Sequence, residues 1–431
     1  MGPRTPLSRA VLAVAAAGVL VVAVRLWGLA LVDGGAELKL NAVPWFGRWE
    51  TAPRPTTLAW PVFFALVVVA VGPAVARRVR MAWLLPLTGI ASGAWVVLLY
   101  RADRPLDRIG APLEGRFEYL AVVPEVDAPG EFVRTFTDQL PTYPIHVQGH
   151  PPGMVLLLWV LDRVGLDGST PAAALILLVA ASTPVAVLLT VRELLPDQAV
   201  RRAAPFLVLV PAAVWVATTA DAFFMGVGAW STLLVVLGTR DRRWRSVLLA
   251  GAGGVLFGLG VHLSYGLAPL GAIAAWVIVS RRSWRALGAA SVGGGAVIAA
   301  FAAAGFFLLD GLTATSARYE AGVSSERPFT YFVVANLAVL AVSIGPAGVA
   351  ALASPRRRLP IGFIWAALVA VVVADLSGLS KGEVERIWLP YVPWLLVATG
   401  ATALPHRADR TSLALQAAAG IALATWLRNP W

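Results

Sequence analysis

The chain has 431 residues, 58% of them hydrophobic and only 14% charged, with a formal net charge of +11. Soluble domains carry about a quarter charged residues, so an ordinary water-soluble fold is excluded and most side chains must face lipid or other helices. The absence of cysteine excludes disulfides, a thiolate nucleophile and cysteine metal ligands, and the bias to Ala, Val, Gly and Arg over Lys suggests a GC-rich bacterial genome.

A helix needs roughly 20 apolar residues to cross the hydrocarbon core. Thirteen runs are candidates, at about 10–32, 57–76, 82–100, 171–190, 203–220, 222–238, 246–262, 265–280, 286–309, 329–349, 359–378, 387–404 and 411–427. They predict an all-α, polytopic transmembrane bundle. The first run follows Arg4 and Arg9 and continues past Arg25 to Val32 without a small-residue cleavage site, as an uncleaved signal anchor does. Arg25 is expected to snorkel or to pair within the bundle. Segment 33–56 carries Trp45, Phe46, Arg48 and Trp49, which suits a helix lying at the membrane surface. Residues 1–80 read as an N-terminal transmembrane hairpin, 81–240 as a core and 241–431 as C-terminal transmembrane helices.

Charge sets the orientation. With the N-terminus cytoplasmic, the inner loops hold 20 of the 35 basic residues: Arg4, Arg9, Arg77, Arg78, Arg80, Arg192, Arg201, Arg202, Arg240, Arg242, Arg243, Arg245, Arg281, Arg282, Arg285, Arg356, Arg357, Arg358, Arg407 and Arg410. Only four of the 24 acids join them: Glu193, Asp197, Asp241 and Asp409. That asymmetry is the positive-inside pattern of a bacterial cytoplasmic membrane protein. The positive charge therefore has anionic membrane lipid as its partner, and nucleic acid is excluded because the arginine clusters are short and membrane-bound. This topology leaves Pro151–Leu161 outside the count of spans. At about eleven residues it is an interfacial or re-entrant helix, and Arg101–Thr170 becomes one long outer loop, a length that usually carries function.

Unusual residues collect on that outer side. The long loop holds Glu118-Tyr119 and the run from Tyr143 to Gly153, with His146 and His150. Pro151 and Pro152 suit a first helical turn, which explains the prolines but not two histidines four residues apart. Asp221 stands between two apolar runs, where it either N-caps the next helix or faces a site. His262 ends another run. Further along come Tyr319, Arg327 and the stretch Lys381-Gly-Glu-Val-Glu-Arg386. Charge at the mouth of an apolar span is costly. A cation there can grip a carrier phosphate. The bland alternative is an internal pair, Lys381 with Glu385 at helical spacing.

An acid supplies a general base and cations stabilise a departing phosphate. Those are the parts needed to move a sugar from a polyprenyl phosphate to a hydroxyl. A multispan transporter or flippase is a second reading, although transporters place ionisable groups near the midplane and show internal repeats, whereas mid-span charge here is limited mainly to Arg25 and Asp375 and no repeat is visible. A non-catalytic envelope-synthesis scaffold is a third.

The order of Glu118-Tyr119, His150-Pro-Pro-Gly153 and Asp221 resembles the C superfamily of membrane glycosyltransferases (GT-C), which use polyprenyl-phosphate sugars. It is nearest the branch of protein O-mannosyltransferases and the aminoarabinose transferases of lipid A, which carry His-Pro-Pro-Leu. The stretch 382–388 is similar to actinobacterial relatives of that group. The resemblance covers 82–240 well and 310–395 loosely. It implies a GT-C bundle whose long first outer loop contains interfacial helices, with Glu118 as the catalytic base. Relatives often have Asp there, just after their first span. Two spans precede the core here, so Asp33 is a rival. Asp221 becomes the second acid. Tyr119, His146, His150, His262, Tyr319, Arg327, Lys381 and Arg386 become substrate-binding residues. The implied donor is a polyprenyl-phosphate sugar, the acceptor a glycan, glycolipid or protein hydroxyl, and the active site lies on the outer face. No metal ligands are assigned; a divalent metal stays open because relatives differ in needing one.

Overall fold

The computed structural model describes residues 5–50, 55–356 and 358–431; Arg4 and Arg357 lie outside the described residues. In chain order the helices are α1 (Pro6–Asp33), α2 (Pro55–Arg78), α3 (Met81–Asp103), α4 (Pro129–Gln139), α5 (Ile145–Gln148), α6 (Gly153–Arg163), α7 (Ser169–Leu194), α8 (Asp197–Val208), α9 (Ala220–Gly238), α10 (Trp244–Leu263), α11 (Gly271–Arg281), α12 (Trp284–Ala303), α13 (Leu308–Ala321), α14 (Phe329–Leu352), α15 (Gly362–Leu376), α16 (Val384–Ile387), α17 (Val392–Leu396) and α18 (Asp409–Trp426). Among the described residues the only strands are β1 (Arg48–Trp49) and β2 (Leu427–Arg428), paired antiparallel.

Among the described residues, eight helices are long and apolar enough to cross a membrane: α1, α2, α3, α7, α9, α10, α12 and α14. The apolar stretches Tyr265–Arg281 and Gly362–Leu376 are shorter. Two of the remaining runs are broken rather than continuous. Run 203–220 divides into the end of α8 and the 3-10 turn Pro211–Trp215, and run 387–404 into α16, α17 and further 3-10 turns. Pro205, Pro211, Pro390 and Pro393 each remove a backbone donor from these runs. Such backbone is tolerated at membrane depth where protein surrounds it, and Trp394, Leu395, Leu396 and Val397 have no exposed surface. Run 411–427 is one helix, α18, whose Gln416 closes a break in α14 at Gly345. The amide oxygen accepts from Ala347 N–H at 3.0 Å and the amide nitrogen donates to the Ile344 carbonyl at 2.7 Å.

The segment after α1 is not the surface helix its aromatics suggested. Residues 34–50 run as turns and short bridges ending in β1. Pro44 and the glycines at 34, 35 and 47 interrupt helical continuation, and Trp45 is buried in protein rather than resting on lipid. Arg25 pairs inward: it donates to the Val43 carbonyl at 3.0 Å and lies 5.0 Å from the Trp49 ring centroid.

The long loop 101–170 is a chain of 3-10 turns followed by α4, α5 and α6. Helix α4 turns Phe132, Val133 and Phe136 inward and leaves Glu131, Arg134 and Asp138 exposed. Helix α6 has 11 residues, about 16 Å of rise, roughly half the hydrocarbon thickness.

Contacts define two ends of the bundle. At one, Arg201 donates to the Ala76 and Val79 carbonyls, Arg281 to the Glu193 carbonyl, and Arg240 pairs with Glu193. At the other, the chain after α1 meets the loops that follow α15 and precede α14. The functional candidates lie at this second end.

Candidate functional site

Arg386 is the hub. It follows Gly382, whose φ is 91°, and Glu383, whose φ of 59° lies in the left-handed region that favours glycine. Holding a glutamate there costs strain, and the result is that Glu383 and Arg386 turn towards each other. One guanidinium nitrogen of Arg386 donates to Asp221 Oδ2 at 2.7 Å. The other donates to Glu383 Oε2 at 2.7 Å and to His146 Nε2 at 3.2 Å. His146 Nδ1 lies 2.9 Å from Glu118 Oε1. Guanidinium has donors only, so Nε2 must accept. The proton of a neutral His146 then sits on Nδ1 and points at Glu118.

Four distant segments therefore converge. Glu118 precedes a 3-10 turn after α3, and His146 lies in α5. Asp221 is the second residue of α9, and Thr219 takes the N-cap position. Asp221 is therefore not the cap. It is 2% exposed and spends its charge on Arg386. Arg386 is 7% exposed, and its Nε–H is buried without an acceptor. Burial works against its charge, but Asp221 and Glu383 outweigh that and hold its pKa above the ordinary value. Burial likewise pushes Glu383 up, yet Arg386 and then His146 prevail and hold it below the usual carboxylate range.

Tyr119 and His150 stand behind this cluster. Their rings meet edge-on at 5.8 Å. His150 Nδ1 donates to the His146 carbonyl at 2.8 Å. Burial lowers the His150 pKa, favouring the neutral ring, and burial followed by the Asp221 charge raises the Tyr119 phenol well above its ordinary value.

The other expected residues take different partners. Arg327 is buried and donates to the carbonyls of Leu38 at 3.0 Å, Lys381 at 2.5 Å and Lys39 at 3.4 Å. Lys381 Nζ donates to the Ser324 carbonyl at 3.0 Å and its backbone N–H donates to Tyr319 Oη at 2.7 Å. The Lys381–Glu385 pair is not formed. These residues brace the loop that carries Arg386. His262 is buried at the end of α10, stacked on Phe301 at 4.0 Å, with Nδ1 bonded to the Gly258 carbonyl. Its own carbonyl explains the glycine that replaces leucine in the His-Pro-Pro run. A Cβ on Gly153 would stand 2.3 Å from the His262 oxygen, so α6 and α10 meet too closely for a side chain. Asp33 is exposed at the end of α1, and Glu118, not Asp33, touches the cluster.

Glu383 and Trp431 were not singled out from the sequence, and Glu385 was considered there only as a charge at the span mouth and a partner for Lys381. Glu383 balances Arg386. Glu385 is 2% exposed; its Oε1 accepts from Phe46 N–H at 2.8 Å, and burial raises its pKa to about 7. Trp431 lies under Arg386, with the guanidinium carbon 4.7 Å from the ring centroid. A small cleft is lined by Glu118, Tyr119, His146, Thr218, Thr219, Ala220, Arg386 and Trp431. Among the described residues, no group of three or more His, Asp or Glu could hold a metal ion.

Further along α9 from the cleft is an apolar cavity of about 300 Å³, between α3, α7 and the broken segment after Arg386. Met225 and Leu389 in its lining are about one helical turn from Asp221 and Arg386. Ile90 and Leu178, also in the lining, are each 70% exposed, so the cavity opens sideways.

The family model for dolichyl-phosphate-mannose-protein mannosyltransferase matches residues 149–306. The match supports the likeness to GT-C membrane glycosyltransferases. It includes His150, Asp221 and His262; Glu118, His146, Glu383 and Arg386 lie outside it. No curated protein and no solved structure matches the chain.

Proposed function

We propose that this protein transfers a sugar from a polyprenyl-phosphate donor to a hydroxyl of an envelope glycan, glycolipid or protein, on the outer face of the bacterial cytoplasmic membrane. One observation carries the reading. A carboxylate, an imidazole and a guanidinium are linked in series, Glu118–His146–Arg386, at the end of the bundle away from its arginine-rich loops.

Glu118 is the base. It takes the acceptor proton as the acceptor oxygen bonds to the anomeric carbon. The bond from that carbon to the phosphate oxygen breaks, and its electron pair leaves with the phosphate. Arg386 meets this charge through its unpartnered Nε–H, a donor already desolvated. His146 fixes the orientation of Glu118, and Asp221 that of Arg386. The apolar cavity below accepts the first isoprene units, which need no polar partner. Residues 81–240 supply the base and second acid, 241–431 the cation, and 1–80 the strap whose Phe46 meets Glu385 and Trp431.

Glu118→Gln keeps the size and the hydrogen bond to His146 but loses the base. Transfer of radiolabelled sugar from polyprenyl phosphate to envelope extract is expected to fall by at least about 100-fold, with the variant still folded and inserted. Full activity in Glu118→Gln membranes would overturn the assignment.

A further inference from the structure

The cleft beside Arg386 is almost closed. Its volume of about 10 Å³ is room for roughly one water, far less than a sugar phosphate requires. What fills the remainder is Trp431. Its ring lies under the guanidinium, and Phe46 stacks on it with centroids 5.2 Å apart and an interplanar angle of 12°. Phe46 is itself held by Glu385, whose carboxylate accepts its N–H. The β1–β2 pair ties the same two segments together. The contacts thus run from Glu385 through Phe46 and Trp431 back to the neighbouring Arg386.

The indole N–H of Trp431 is buried without an acceptor, and so is Nε–H of Arg386. The indoles of Trp45, Trp215, Trp388 and Trp394 are unpaired as well. What sets Trp431 apart is its position: its ring lies on the guanidinium and lines the cleft.

We propose that Trp431 is the gate of this site. In the closed chain its ring occupies the space of the donor headgroup. It must leave the guanidinium before a phosphate oxygen can reach Arg386. This rests on the transferase reading above. While the ring is closed no donor headgroup occupies the site. Closure therefore lowers donor affinity, because only the open fraction of molecules binds.

Binding of undecaprenyl phosphate to the purified full chain tests this. Trp431→Ala is expected to bind about tenfold tighter than the parent, the factor for releasing one cation–π contact. Trp431→Phe should stay near the parent. Phe46→Ala, which loosens the ring without removing it, should lie between, and it decides the matter if Trp431→Ala melts early. Equal affinity in parent, Trp431→Ala and Phe46→Ala overturns the gate alone. Binding by none of the proteins overturns the gate and the transferase reading together.

Discussion

Two arginines, each 7% exposed, sit at opposite ends of the bundle. Arg202 uses every nitrogen: Nε and one terminal nitrogen donate to Asp409 Oδ1 at 3.1 and 2.7 Å, and the terminal pair reaches the Leu404 and Thr402 carbonyls at 2.8 and 3.2 Å. Asp409 Oδ2 lies 3.1 Å from His406 Nδ1. Arg386 has two carboxylates and an imidazole around it, lines a cleft, and still leaves Nε–H without an acceptor. Equal burial thus accompanies opposite designs. One cation is consumed by the fold, and the other is held in place with a donor to spare.

The comparison can be broken by removing each in turn. Arg202→Met leaves Asp409 buried without its partner, so unfolding stability is expected to fall by about 3–5 kcal/mol. The folded fraction should keep its transfer rate. Adding Asp409→Leu should restore much of the loss, because an apolar pair needs no desolvation. Thermal unfolding in detergent measures both. Next in size is Arg386→Lys, which keeps the charge and loses the fork. Transfer is expected to fall about 100- to 1,000-fold, with the unfolding midpoint little changed. A variant that lost stability instead would make Arg386 a second Arg202.

The smallest effect sharpens the contrast through pH. Burial raises Glu385 from 4.5 to about 7, so the folded chain favours its protonated form. That contribution is complete below about pH 4.5 and is lost as pH climbs through about 7. At about 1.4 kcal/mol per unit, the loss is about 3 kcal/mol. The parent should therefore lose more stability than Glu385→Gln between pH 5 and 8. Parallel melting curves would remove Glu385 from the account.

Much of this was legible in the order of residues. The eight long helices follow from uninterrupted apolar stretches, and Glu118, His146, Asp221 and Arg386 stood out as polar groups at the ends of such stretches. Hydropathy could not show that 387–404 is broken, because a run buried in protein and a run facing lipid have the same composition. The prolines at 390 and 393 were the available signal. The surface-helix expectation for 33–56 failed over its described residues 34–50 for a related reason: aromatic residues suit a lipid interface and a protein interior alike, and only Pro44 and the nearby glycines favoured the latter. Phe46 and Trp431 were out of reach. Their meeting depends on segments 385 positions apart folding against one loop, and neither segment carries a motif.

The sideways mouth of the apolar cavity, with Ile90 and Leu178 in its lining, has a kinetic consequence. Under the proposed function, a carrier lipid approaches it in two dimensions, by diffusion within one leaflet. The quantity that governs occupancy is then the mole fraction of carrier among the surrounding lipids, not its molarity in the aqueous phase. The bilayer's own composition and viscosity become part of the rate law.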